Sequence, residues 1–83
     1  MVPAPKNKMH IVIFITAANK KEAKDIASAL IKEKLAACVN IMENVNSLFR
    51  WQGKVDKAKE ALLIIKSRKA LMSKLIKKVK SLH

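Results

Sequence analysis

The stretch SLFRWQGKV, residues 47–55, decides the fold. It holds the only Trp, one of the two Phe residues and the only Gly of a chain that is otherwise poor in aromatics and rich in lysine. Gly tolerates a positive φ, so Gln52-Gly53 reads as a tight turn. Before it, Val45, Ser47, Phe49 and Trp51 alternate with Asn44, Asn46, Leu48 and Arg50, which is the period of a strand. After it, the chain returns from Val55 into the apolar run Ala61-Leu62-Leu63-Ile64-Ile65. The spacing predicts a long hairpin, residues 38–51 against 55–66, whose tip is more polar than its base.

Working outward, His10-Ile11-Val12-Ile13-Phe14-Ile15-Thr16 is an unbroken β-branched and aromatic run, the composition of a strand buried on both faces and central in its sheet. Asn19 followed by Glu22 has the form of a capping box, and Ala23, Ile26, Ala27, Leu30 and Ile31 then recur at helical spacing, predicting a helix over 20–34. Ser67 is the expected N-cap of a second helix with a stripe of Leu71, Leu75, Ile76, Val79 and Leu82. Residues 1–9 contain both prolines and no periodicity and are expected to form a flexible arm, leaving 10–83 as a single domain. The order β-α-β-β-α implies an α+β, ferredoxin-like plan: an antiparallel-rich sheet, two helices on one face, and the last elements missing. In the complete plan a final strand lies beside the first, so its absence leaves an apolar edge open to another chain.

A chain of 83 residues is small enough that burial is incomplete and oligomerisation is a common support. Phe49 and Trp51, carried beyond the reach of two four-turn helices, are therefore expected at an oligomer interface. The net charge of +12 raises nucleic acid as a rival partner. Nearly all of that charge is lysine, spread along helix faces. The return strand offers Asp56, Ala58 and Glu60 rather than a basic stacking platform, so a nucleic-acid module ranks below a protein interface. The one cysteine, Cys38, cannot form an internal disulfide, and no apolar run has the length of a membrane span; the expectation is a cytoplasmic protein without a membrane partner.

Chemistry is sparse. There is no glycine-rich phosphate loop and no evident pair of acids, so the chain is expected not to be an enzyme. Cys38, His10, His83, Glu60, Met9 and Met42 are the available metal donors, and none shows the paired spacing of a closed site. Cys38 is expected to be a small buried apolar residue, and His10 a boundary residue facing solvent or backbone.

Three segments resemble the CutA family of divalent-cation tolerance proteins: Glu33-Lys34-Leu35-Ala36-Ala37-Cys38-Val39-Asn40-Ile41, then Ser47 to Val55 as quoted above, then Glu60-Ala61-Leu62-Leu63-Ile64-Ile65-Lys66-Ser67, followed by the terminal Leu82-His83. The resemblance implies a cytoplasmic homotrimer, similar in architecture to PII-type signalling proteins, in which the hairpin drives assembly. It further implies a role in divalent metal tolerance with weak copper binding; a PII-like sensor of a small ligand is the alternative. Where family members carry proposed copper ligands, this chain has Ile15 and Leu82, so only His83 carries over as a metal residue. Family members continue past that histidine into a further strand and helix, and the sequence is expected to be a portion of a longer protein.

Overall fold

A computed structural model describes residues 9–82. Of the expected N-terminal arm only Met9 falls within the described residues, and its carbonyl accepts a hydrogen bond from the Lys69 N–H at 3.0 Å. The elements follow in the order β1 (His10–Ala17), α1 (Lys20–Lys32), β2 (Cys38–Trp51), β3 (Lys54–Arg68), a 3-10 turn (Lys69–Leu71) and α2 (Met72–Leu82). The three strands form one sheet in the order β1-β3-β2, with β3 antiparallel to both neighbours. Strands β1 and β2 thus run parallel with β3 inserted between them, the split β-α-β arrangement of a ferredoxin-like α+β fold.

The core lies between the sheet and the two helices. Ala61, Leu63 and Ile65 of β3 are buried under Ala23, Ile26 and Leu30 of α1 and Leu75 and Val79 of α2. Ile13 and Ile15 of β1, and Val39 and Ile41 of β2, flank them in register on the same face. Both helices therefore cover a single side. Helix α1 starts where Asn19 Oδ1 accepts the Glu22 N–H at 2.9 Å, and the Glu22 carboxylate reaches back to the Ala18 N–H at 3.4 Å. It ends two residues short of the expected 34, because Glu33 closes it as C-cap and Lys34 turns left-handed at φ 59°.

Two sequence expectations need correction. Strand β1 is not a central strand buried on both faces: among the described residues β3 is its one sheet neighbour, the open edge expected from the β-α-β-β-α order, and it alternates half-buried and exposed residues, Val12 and Phe14 being left open because both helices lie on the far side. Ser67 is not a helix cap. It belongs to β3, is buried, and donates its hydroxyl to the Leu35 carbonyl at 2.7 Å, tying the sheet to the loop after α1. The second helix instead begins through the 3-10 turn after Arg68. Its stripe splits as well: Leu75 and Val79 are buried, whereas Ile76 and Leu82 stay exposed.

The hairpin dominates the shape. Strands of 14 and 15 residues reach about 45–50 Å at the usual rise, in keeping with the long dimension of 46 Å. Helix α1, at 13 residues, covers about 20 Å of it. The outer part is a two-stranded arm closed by Gln52 at φ 49° and Gly53 at φ 76°, the positive pair of a type I′ turn. A Cβ on Gly53 would meet no atom within 4 Å, so its requirement is purely conformational. Gly53→Ala is expected to cost roughly 1–2 kcal/mol through that backbone alone, visible as a lower thermal midpoint with unchanged far-UV circular dichroism.

Candidate functional site

The face of the sheet turned away from the helices is the feature that asks for a partner. Strand alternation and register put Val12 and Phe14 of β1, Leu62 and Ile64 of β3, and Cys38 and Met42 of β2 on this side. Phe14 is 63% exposed, and Val12 and Met42 are also open to solvent. An apolar sheet face of this kind is ordinarily packed against a second layer.

The arm extends the same face by means of a bulge. Uninterrupted alternation from Val39 and Ile41 would put Phe49 and Trp51 on the helix side. Between Met42 and Val45 the register shifts, with Asn44 left-handed at φ 56°. The extra residue reverses the alternation, so Val45, Ser47, Phe49 and Trp51 come out on the open side with Leu62 and Ile64. Phe49 is 42% exposed and Trp51 62%, and covering side chains of this size contributes about 1.5–3 kcal/mol each. Sequence alternation identified the pair as sharing a face. The bulge that aims them was missed, although Asn44, a residue type that tolerates the left-handed region, was the available signal.

At the base of the arm, the Lys20 ammonium lies 3.4 Å from the Glu43 carboxylate and links the start of α1 to the bulge. A cleft of about 170 Å³ opens beside it, bordered by Asn19, Lys20, Glu43, Asn44, Lys59 and Glu60. Two carboxylates and two lysines thus border it, of which Lys20 and Glu43 form the ion pair.

The metal donors named from the sequence are not brought together. Cys38 is half-buried on the open face rather than in the core, with its Sγ 3.9 Å from Asn40 Oδ1. It sits there because it is the first residue of β2 and alternates with Val39, which takes the helix-facing place. His10 is exposed and pairs with Arg68 across β1 and β3. Strand β3 separates it from Cys38 by two interstrand spacings, about 10 Å. Glu60 is half-buried opposite Val45. Ile15 faces the helix layer, and His83 lies outside the described residues. Among the described residues no group of three or more His, Cys, Asp or Glu side chains is placed to hold a metal ion.

Comparison with known proteins agrees with this architecture. The family model described as CutA1 divalent ion tolerance protein matches residues 11–83. The solved structure of the divalent cation tolerance protein from Thermus thermophilus superposes with a TM-score of 0.87 at 44% identity, covering 90% of this chain and 73% of that one. The periplasmic divalent cation tolerance protein CutA from Archaeoglobus fulgidus gives a TM-score of 0.86 at 43% identity, over 90% of this chain and 72% of that one. A chloroplastic protein CutA of Arabidopsis thaliana is 40% identical over 83 residues, and the chain spans 46%, about half, of its length.

These relatives overturn the cytoplasmic expectation, since similar chains are named chloroplastic and periplasmic. A lone cysteine and the lack of a long apolar run bear on disulfides and membrane spans, and do not fix a compartment. Among the described residues no helix is long and apolar enough to cross a membrane. With the segments around Cys38, Trp51 and Leu63 all inside the matched region, and the sheet, helices and hairpin superposing on solved members, the chain belongs to the CutA1 divalent ion tolerance protein family.

Proposed function

We propose that this protein works as a homotrimer in tolerance of divalent metal ions, binds copper or another divalent cation weakly, and is not an enzyme. The observation that carries the assembly is the set of exposed apolar side chains on the side that the helices leave bare, Val12, Phe14 and Met42 at the base and Phe49 and Trp51 on the arm, with Ser47, Asp56 and Glu60 between them. A surface of this extent on so small a subunit is the kind that a second copy covers. The metal role is supported by the names of the relatives, and its weakness by the scattered donors of a single chain.

His83 is the residue that the resemblance assigns to metal. Copper heads the divalent affinity order, so binding by isolated donors is expected to be shallow and poorly selective. Native mass spectrometry is expected to give a three-copy mass, and copper titration followed by calorimetry to give weak uptake that His83→Ala reduces. A stable single-copy mass contradicts the assembly. Copper uptake untouched by His83→Ala removes that residue from the metal role.

A further inference from the structure

Beyond Met42 the hairpin keeps its register at a conformational cost. In the observed pairing Val45 stands opposite Glu60 and Trp51 opposite Lys54. That pairing needs an extra residue in β2, with Asn44 at φ 56°, and a two-residue tip, with Gln52 at φ 49°. Both are left-handed at residues that carry a Cβ, where the conformation costs more than at Gly. The same register sets unlike side chains side by side: Phe49 opposite Asp56, Val55 opposite Arg50, and Leu48 opposite Lys57. No side chain from Val45 to Glu60 is buried, and a ribbon without a covered face specifies its register weakly.

We infer that the arm holds a second register, slipped by one residue in β2, and so acts as a two-state element. With the Met42-Leu62 pair and everything below it kept, loss of the bulge sets Ser47 opposite Lys57, Phe49 opposite Val55 and Arg50 opposite Lys54. The strands then close on Trp51-Gln52-Gly53. A three-residue tip of this kind is a type I turn followed by one left-handed residue, which Gly53, at φ 76°, already supplies. Asn44 and Gln52 both return to ordinary backbone, and Phe49 gains an aromatic to β-branched partner in Val55. Like charges at Arg50 and Lys54 oppose the slip and keep the second register minor. The core is untouched, because its strand residues all pair at or below Ala61 and Leu62. A one-residue slip moves every outer β2 side chain to the other face, so the register decides which side presents Phe49. The switch lies within one chain's own hairpin and is separate from the trimer reading.

Paired cysteines read the two registers apart. In a Cys38→Ser background, Leu48→Cys/Lys57→Cys bridges the observed pairing. Ser47→Cys/Lys57→Cys bridges only the slipped one, since in the observed register these two side chains leave opposite faces of the ribbon. In a glutathione redox buffer, with the bridge within one chain counted by mass spectrometry after alkylation, the first pair is expected to close almost fully and the second in a minor fraction. Asn44→Val makes the left-handed bulge costlier and is expected to raise the second fraction on the order of tenfold; Gln52→Gly eases the two-residue tip and is expected to lower it. Closure of the first pair, with far-UV circular dichroism, checks that each variant folds. A second bridge absent from both the parent and the Asn44→Val background while the first closes overturns the inference. So does a second fraction that Gln52→Gly raises, which is the mark of a fraying arm. The number of copies is read separately by native mass, so failure of the trimer reading is distinguishable from failure of the switch.

Discussion

Replacing both Phe49 and Trp51 by Ser is expected to dissociate the assembly while leaving the subunit folded. Neither ring contributes to the buried core, which lies under the helices and is built from residues such as Ile26, Leu30, Leu63, Ile65 and Leu75. Truncating an aromatic anchor at an interface costs about 2–4 kcal/mol, roughly thirty- to a thousandfold in the dissociation constant for each ring. Sedimentation velocity reads the loss directly. An unchanged sedimentation coefficient for the double variant would place the subunit contact elsewhere on the molecule.

The second large effect is in the core and has a built-in contrast. Leu63 is fully buried at the middle of β3, between Ile15 of β1 and Ile41 of β2 in register and beneath both helices. Leu63→Ala is expected to cost about 2–5 kcal/mol, a large share of the roughly 4–12 kcal/mol typical of a chain of 83 residues. Leu62, one residue earlier, faces the open side. Leu62→Ala should barely move the stability of a dissociated subunit and should instead weaken self-association. Denaturant unfolding at low protein concentration, set beside sedimentation at high concentration, separates the two; equal loss of subunit stability for both would contradict the one-sided sheet.

How much of this could be read from sequence depended on whether a local pattern had one physical interpretation. Helix α1 was legible because Asn19, Glu22 and the recurrence of Ala23, Ile26 and Leu30 all state the same period. The turn at Gln52-Gly53 was legible because positive φ at Gly is cheap. The apolar run of β1 was ambiguous. Ile11, Ile13 and Ile15 face the helix layer, while Val12 and Phe14 are equally apolar for a different reason, on the face that the helices leave bare. Composition alone reads that as a doubly covered central strand.

Ser67 illustrates the same limit at smaller scale. A serine before an apolar helical stripe resembles a cap, but its hydroxyl is held by the Leu35 carbonyl, 32 positions away in the chain, and no local pattern carries that information. The bulge at Glu43-Asn44 had the greatest consequence for the candidate site. One extra residue decides which side of the sheet Phe49 and Trp51 join, and the pairing partner that fixes it, Glu60 opposite Val45, is remote in sequence. The candidate metal donors are residue types that can ligate, yet the strand order keeps His10 and Cys38 apart, which spacing along the chain could not show.

Trp51, the sole tryptophan, reports on the central claim that sister copies cover the open face and its arm. Acrylamide quenching of its fluorescence under native, assembled conditions is expected to be several times weaker than in denaturant and to rise on dilution as copies separate. Quenching as efficient in the native state as in the denatured chain, at every protein concentration, would contradict the account.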